Sequence, residues 1–322
     1  MKKILSLDGG GIRGVIPASV LAYIEERTGR RVADMFDLVA GTSTGGLLAL
    51  GLTKPNAEGG PAYTARQMVE LYEREGMRIF HRDLWYRAAA LENLLDHKYP
   101  SQGIEGVLAR YFGDARLSDA LTDVLVTSYE IERRTPFFFR RSRALAHAGW
   151  DWLMRDAARA TSAAPTYFEP ARIQVPEGDE YFALVDGGVF ANNPAMCAYA
   201  EARTLWPEEE SFIVVSLGTG QLTRPILHDD AKNWGLARWA QPILGVVFDG
   251  VSDTVDYQLA DLCRDKKTRL SNYSRFQIEL NEGSDDMDDS SRGNLRVMKL
   301  LAEDLIHGKQ HELDGVCKAL ND

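Results

Sequence analysis

A serine stands at the centre of a Gly-Thr-Ser-Thr-Gly motif over residues 41–45. An apolar run over 35–40 precedes the motif, and a run of small and apolar residues over 46–50 follows it. This order predicts a strand, a sharp turn and a helix, with Ser43 at the turn. Glycines leave room for such an elbow, and the following helix directs its positive N-terminal end at the serine. The pattern predicts a nucleophilic serine above a sheet, although a serine that only caps the next helix would fit the same five residues.

A glycine-rich loop lies near the start of the chain. Residues 3–7 are typical of a short buried strand, and the sequence Asp-Gly-Gly-Gly-Ile-Arg-Gly follows at 8–14. A helix is predicted over 17–27, because Pro17 suits a first helical turn and Gly29 suits the position after a last turn. The backbone N–H groups of such a loop, beside a helix N-terminus, are expected to bind negative charge.

Two kinds of negative group could occupy this loop. The spacing Gly9-x-Gly11-x-x-Gly14 matches a dinucleotide-binding fingerprint, which would make the protein a nucleotide-binding or regulatory module. That interpretation needs an acidic residue at the end of the second strand, where this chain has Ala40 and then runs on to Ser43. We favour an oxyanion hole, whose amides stabilise the negative oxygen formed when the serine attacks an ester. Loss of one such donor typically costs about 10²–10³ in rate.

An aspartate follows another candidate strand. The residues over 181–185 lead into Asp186 and two glycines, and the sequence Asn-Asn-Pro at 192–194 then opens a helix. An aspartate before two glycines is often only a turn residue. Ligands of open α/β sheets bind at the carboxyl ends of strands, so the position of Asp186 predicts a chemical role.

The three motifs together, at 8–14, 41–45 and 186–188, resemble the signatures of the patatin-like phospholipase family, including its bacterial members. Residues 161–168 are also similar to a stretch that lies upstream of the aspartate in that family, and the likeness extends over 1–220. The resemblance implies a three-layer sandwich and a lipid acyl hydrolase of the phospholipase A type. Such an enzyme cleaves fatty acyl esters through a Ser–Asp dyad and an acyl-serine intermediate.

The resemblance also implies roles for individual residues. Ser43 would be the nucleophile and Asp186 the proton acceptor, and neither a metal nor another cofactor is required. The oxyanion loop would contain Gly10, Gly11 and Arg13. The glycines that complete the motifs are Gly9, Gly14, Gly41, Gly45, Gly187 and Gly188.

The histidines independently favour a dyad. A triad of the α/β-hydrolase type needs a histidine after the aspartate. We interpret all six histidines as surface or capping residues, because none follows a predicted strand with loop glycines: His81, His97, His147, His228, His307 and His311. A carboxylate is a weak base for a serine hydroxyl, so Asp186 would need a poised environment to accept the proton.

Composition narrows the possible partners. Lys and Arg total 37 and Asp and Glu total 47, so the formal net charge is −10. This charge disfavours a nucleic acid polymer and offers no overall attraction to anionic membranes. The expected partner is a phospholipid or other acyl ester, met in transient contact with a membrane surface. Five arginines over 133–143 form either a solvated hairpin flank, which we favour, or a surface for a membrane or an anion.

The chain is expected to be cytoplasmic, with peripheral contact at the membrane. Its three cysteines are widely spaced and match neither a metal pattern nor a disulfide framework. The N-terminal residues do not resemble a signal peptide, and no run of about 18 apolar residues predicts a membrane span.

Strand and helix patterns alternate along the chain and predict an α/β fold: a mainly parallel central sheet with helices on both faces and helical C-terminal additions. We place the acyl hydrolase core at 1–220 and assign 221–322 to an extension packed on the same domain. Tryptophans at 234–251 make a lipid-facing cap an alternative to packing over the core. Further strands are predicted at 124–130, 137–141 and 212–217, and further helices at 65–80, 104–112, 150–160, 234–251 and 294–307.

The same serine leaves other functions open. An acyltransferase or a small-ester hydrolase would share the acyl-serine, and the outcome depends on whether water or another acceptor takes the acyl group. Some bacterial patatin-like proteins that look similar are antiviral effectors, which a cyclic nucleotide switches on before they degrade phospholipid. No motif in this chain indicates such regulation. The sequence also leaves the oligomeric state open.

Overall fold

In the computed structural model of this chain, residues 1–80, 99–239, 242–264 and 272–321 are described. The strands are β1 (Lys2–Leu7), β2 (Leu38–Thr42), β3 (Asp123–Glu130), β4 (Thr135–Arg140), β5 (Ala171–Gln174), β6 (Tyr181–Asp186), β7 (Phe212–Leu217), β8 (Gln221–Leu222), β9 (Tyr273–Phe276) and β10 (Glu279–Leu280). The helices are α1 (Val15–Thr28), α2 (Val32–Met35), α3 (Thr44–Thr53), α4 (Ala65–Ile79), α5 (Ser101–Phe112), α6 (Arg141–Ala146), α7 (Met154–Thr161), α8 (Gly188–Ala191), α9 (Ala195–Leu205), α10 (His228–Ala231), α11 (Leu236–Trp239), α12 (Pro242–Leu262), α13 (Arg292–Gly308) and α14 (Gln310–Asn321). Short 3-10 helices cover Gly11–Gly14, Leu117–Asp119 and Ala148–Trp150.

An eight-stranded sheet lies at the centre, in the order β5-β6-β3-β2-β1-β7-β9, with β4 paired to β3. The run from β3 through β2, β1 and β7 to β9 is parallel. Three antiparallel pairs, β3–β4, β3–β6 and β5–β6, form the other end. The hairpins β3–β4 and β5–β6 need only short turns, whereas parallel neighbours need longer crossovers. The predicted α/β fold with a mainly parallel sheet is confirmed.

Side chains of the central strands alternate between two apolar cores, because successive residues of a strand point to opposite faces. In β1, Ile4 enters one core, while Leu5 and Leu7 enter the other. In β2, Ala40 shares the core of Ile4 and Val39 shares the core of Leu5. Helices α1, α3, α4 and α13 contribute to the core of Leu5, and helices α9 and α12 contribute to the core of Ile4. The sheet is therefore covered by helices on both faces, as the sequence predicts.

The two edges of β3 determine where the candidate site forms. Strand β4 pairs with one edge over Leu125–Glu130. Strands β2 and β6 must therefore share the opposite edge, end to end. Thr42, the last residue of β2, pairs with Thr127, and Asp186, the last residue of β6, pairs with Ser128. Because β2 runs parallel to β3 and β6 runs antiparallel, their two carboxyl ends meet.

The C-terminal part of the chain contributes to the same sheet and core. Strand β9 pairs with β7 in the central sheet, and α13 and α14 pack on α1. The backbone oxygen of Leu320 accepts hydrogen bonds from the side chains of Lys3 and Arg30, each at 2.9 Å. These contacts support an extension packed on one domain, and the boundary at residue 220 stays a prediction.

Several predicted elements differ in their bounds, and the helix predicted at 150–160 begins only at Met154. The strand predicted at 35–40 begins only at Leu38, because the preceding residues form helix α2. Within the helix predicted at 234–251, the structure describes α11 and α12, and residues 240–241 between them are not described.

We expect a chain cut after residue 220 to lose its fold, because the cut removes β9 and α12 to α14 and exposes the apolar surface they cover. The full chain should melt in one cooperative transition in scanning calorimetry, and the shortened chain should show none. A shortened chain that melts cooperatively near the temperature of the full chain would contradict the prediction that residues 221–322 pack on the same domain.

Candidate active site

The elbow at Ser43 joins β2 to α3. Its backbone has a φ of 54°, in the left-handed region that non-glycine residues seldom adopt. The Ser43 N–H donates to Oγ1 of Thr161 at 2.8 Å, and that hydroxyl in turn donates to the carbonyl oxygen of Thr127 at 2.7 Å. A side chain on Gly41 or Gly45 would overlap neighbouring backbone atoms. The turn is thus held from outside by Thr161 and made possible by the two glycines.

Asp186 is placed beside Ser43 by the strand ends described above. Its side chain is buried, and the N–H of Gly188 donates to Oδ1 at 2.7 Å. Burial raises the pKa of Asp186 to about 7, although hydrogen bonds from the Ser43 hydroxyl and the Gly188 N–H act in the opposite direction. A carboxylate with a pKa near neutrality is a much better proton acceptor than an ordinary aspartate.

The glycine loop presents two unoccupied amides next to this pair. On one side, the N–H of Gly9 donates to the carbonyl oxygen of Asn192 at 3.0 Å. On the other side, the N–H of Ile12 donates to the carbonyl oxygen of Met287 at 2.8 Å. Among the residues that the structure describes, the amides of residues 10–11 between them have no acceptor. Both residues line the cleft that contains the serine, so their N–H groups are available to an oxyanion.

Arg13 has a different position from the two glycines. Its N–H and its Nε both donate to the carbonyl oxygen of Gly10, at 3.2 and 3.3 Å. Its Nη1 is buried and has no hydrogen-bond partner among the described residues. Burial lowers the pKa of Arg13, and the charge of Asp249 acts against that shift. Arg13 therefore braces the loop, while the free donors are those of Gly10 and Gly11; an oxyanion contact by Arg13 itself stays a prediction.

An apolar cleft opens over Ser43 and Asp186. It encloses about 670 Å³, its open mouth included. Its polar groups are few and lie close to the serine, whereas its walls are mainly aliphatic and aromatic. The walls include Ile12, Leu47, Tyr72, Ile79, Phe80, Ile104, Ala164, Tyr167, Phe168, Phe248 and Met287.

A polar cavity adjoins the cleft, and Asp8 and Arg13 of the glycine loop are among its lining residues. The cleft and the cavity share four lining residues, Tyr167, Asn192, Phe248 and Met287. The cavity encloses about 1840 Å³, its open mouth included. Its charged lining residues are Asp8, Arg13, Arg224, Arg238, Asp249, Asp253, Asp285 and Asp286.

A buried ion pair holds the start of the glycine loop. Arg275 on β9 donates from Nη1 and Nη2 to the two carboxylate oxygens of Asp8, at 3.0 and 2.6 Å, and from Nη1 to Oγ of Ser216 at 2.8 Å. The hydroxyl of Thr219 donates to the carbonyl oxygen of Gly9 at 2.7 Å. Sequence reasoning missed Arg275, because a single arginine 267 residues from its partner belongs to no motif.

Other polar residues considered in the sequence lie away from the cleft. His147, His228, His307 and His311 are not among the residues that line it, and His81 and His97 lie outside the described residues. Within the described ranges, no group of His, Cys, Asp or Glu side chains could hold a metal ion. Of the arginines in 133–143, Arg133 pairs with the exposed Glu180, whereas Arg140 and Arg141 form less exposed pairs with Glu201 and Asp123.

Comparison with known proteins identifies the family. A family model described as patatin-like phospholipase matches residues 5–199. The chain is 34% identical to Patatin-like protein 4 of Arabidopsis thaliana, over 94% of this chain and 82% of that protein. It is 31% identical to Probable inactive patatin-3-Kuras 1 of Solanum tuberosum, over 95% of this chain and 84% of that protein. Among solved structures, VipD from Legionella pneumophila matches 94% of this chain and 67% of its own, with 13% identity and a TM-score of 0.35.

The chain belongs to the patatin-like phospholipase family. The resemblance carried by the three sequence motifs is thereby confirmed. Membership supports a lipid acyl hydrolase, and the description of the potato relative means that membership alone does not establish activity. In the described part of the chain, no helix is both long and apolar enough to span a bilayer.

Replacement of Arg275 by Gln should lower the free energy of unfolding by about 3–5 kcal/mol, because Asp8 is left buried without its partner. The Asp8→Asn/Arg275→Gln double variant should lose less than the sum of the single losses, since neither charge is left alone. Urea unfolding of Arg275→Gln, Asp8→Asn and the double variant measures these losses.

Arg27→Gln is the matched control for this pair. Arg27 also binds an aspartate, Asp314, but its side chain is 52% exposed. Its loss should leave stability nearly unchanged, because water screens exposed pairs. Additive losses in the Asp8 and Arg275 cycle would contradict a direct pair.

Proposed function

We propose that this chain is a lipid acyl hydrolase of the phospholipase A type, which cleaves fatty acyl esters through a Ser43–Asp186 dyad and an acyl-serine intermediate. One observation carries the proposal: a buried carboxyl with a pKa near 7 accepts a hydrogen bond from a serine hydroxyl at a strained elbow. The free amides of Gly10 and Gly11 beside that serine support the same assignment.

In the first half-reaction, Oγ of Ser43 attacks the ester carbonyl carbon and its proton passes to Asp186. The carbonyl oxygen becomes an oxyanion, which the N–H groups of Gly10 and Gly11 stabilise. The tetrahedral intermediate then collapses. The C–O bond to the alcohol breaks, Asp186 returns the proton to the leaving oxygen, and the acyl group stays on the serine.

In the second half-reaction, water attacks the acyl-serine and gives its proton to Asp186. The same amides hold the second oxyanion, and the bond between the carbonyl carbon and Oγ breaks as Ser43 regains a proton. A fatty acid leaves, and the enzyme returns to its starting state. An alcohol in place of water would make the reaction an acyl transfer, which is the alternative function of the same site.

The two adjoining spaces suit the two halves of a lipid. The cleft of aliphatic and aromatic side chains suits an acyl chain, and the charged cavity beside it suits a polar head group. The unpaired Nη1 of Arg13 at that cavity favours a head group that carries an anionic phosphate. We place the protein in the cytoplasm, in transient contact with a membrane surface.

Ser43→Ala should lower hydrolysis of a soluble fatty acyl ester by about 10³-fold or more, because no other nucleophile is positioned by the elbow. Asp186→Asn should cause a loss of the same order, since an amide cannot accept the proton. A fluorophosphonate probe should label the unchanged protein and fail to label Ser43→Ala. Turnover of the ester by purified, folded Ser43→Ala protein would refute the dyad.

Ser162→Ala is the matched control, because Ser162 lines the same cleft and its Oγ is also buried. Its activity and labelling should stay close to those of the unchanged protein. Asp186→Asn should still fold. The pKa of Asp186 is raised by folding, so ionisation destabilises the native state as the pH rises through the interval from about 4 to about 7. The neutral amide should therefore be the more stable variant above pH 7.

The rate should also report the titration of Asp186. Because the base must be ionised, kcat/KM should rise with pH up to about 7 and then level off. A stopped assay between pH 5 and 9, with an ester substrate that does not titrate, would measure this rise in kcat/KM. A limb near the ordinary aspartate pKa of about 4 would contradict a buried base.

A further inference from the structure

Exposed apolar side chains are concentrated on one segment of the C-terminal part. We define the apolar rim as Ile226, Leu227, Leu236, Ile243 and Val246. Leu236 is 93% exposed and Leu227 is 57% exposed, which is unusual for leucine in a folded protein. These residues lie close together in sequence, just before α10, in α11 and in the first turns of α12.

The apolar rim borders the polar cavity that adjoins the cleft of Ser43. Ile226 and Val246 line the polar cavity as well as being exposed, so they stand at its mouth. On α12, Ile243 and Val246 are three residues apart on the outer face, while the inward-facing Phe248 of the same helix lines both the cavity and the cleft of Ser43. One helix therefore connects the exposed apolar surface to the wall of the cleft.

The surroundings of the apolar rim favour a lipid surface over plain solvent. Trp234 and Trp239 pack together with a centroid distance of 5.2 Å, and Trp234 lines the cavity mouth. Tryptophan is enriched where apolar lipid meets water. Between residues 224 and 246, three cationic residues outnumber two aspartates, which gives a formal charge of +1 in a chain whose total is −10.

We propose that the apolar rim is the surface by which this protein docks on a bilayer of zwitterionic phospholipid. The inference rests on the proposed function, since it supplies the route by which a lipid reaches Ser43. Insertion of apolar side chains provides the attraction, because the negative total charge repels an anionic membrane and the local charge is small. Docking here directs the cavity mouth at the head groups.

Vesicle binding tests the docking surface separately from chemistry. The Ser43→Ala protein and its derivatives with Leu227→Asp or Leu236→Asp are sedimented with phosphatidylcholine vesicles, so that no vesicle is degraded. Each substitution should lower the partition coefficient by roughly ten- to hundredfold, the factor expected for loss of one buried leucine. The matched control is Leu145→Asp, because Leu145 on α6 is 58% exposed and lies outside the apolar rim. It should bind as the parent does.

Activity measured with the native serine separates the two proposals. Leu236→Asp should lose hydrolysis of vesicles by about tenfold or more and keep kcat/KM for a short soluble ester. If the unchanged protein cleaves no ester, the proposed function fails while the binding comparison still decides the docking surface. The docking proposal is overturned if vesicle binding is absent, if Leu145→Asp weakens it equally, or if Leu236→Asp also loses soluble-ester activity. A dimer that Leu236→Asp dissociates would assign the apolar rim to a second copy of the chain.

Discussion

Strand β3 has three partners but only two edges, and this constraint creates the candidate site. Because β4 occupies one edge, β2 and β6 must share the other, and their carboxyl ends come face to face. Ser43 and Asp186 are the residues at that junction, so they meet without any long loop. The hydroxyl groups of Thr42 and Thr127 lie 2.6 Å apart at the same place, and a side chain on Gly187 would overlap Thr127. The remaining features of the site are packed around this meeting of two strands.

Burial at the junction also determines the chemistry that is available. A carboxyl in this position loses its contact with water, and this burial raises its basicity. The same burial favours the neutral acid, so the fold maintains the carboxylate at a cost in stability. Phe248 contributes to this environment, since it packs close to Gly188 and to the cleft. Reactivity and exclusion of water therefore have one physical source.

Sequence patterns predicted those parts of the site that lie within short motifs. Ser43, Asp186 and the glycine loop each follow a strand, and glycine spacing makes such turns visible in a single sequence. The contacts of Thr161 and Arg275 could not be predicted from the sequence, because their partners lie 118 and 267 positions away along the chain. The basicity of Asp186 could not be predicted either, since burial depends on the packing of many elements. The antiparallel end of the sheet could not be predicted either, because it depends on which edge of β3 pairs with each neighbouring strand.

The ion pair between Asp8 and Arg275 joins two residues that are synthesised at very different times. The glycine loop and the serine elbow are synthesised first, whereas the guanidinium that holds Asp8 follows 267 residues after it. A nascent polypeptide thus carries Ser43 and the glycine loop before it has the guanidinium that holds Asp8. The glycine loop therefore reaches its final arrangement only after β9 has been synthesised and has joined the sheet.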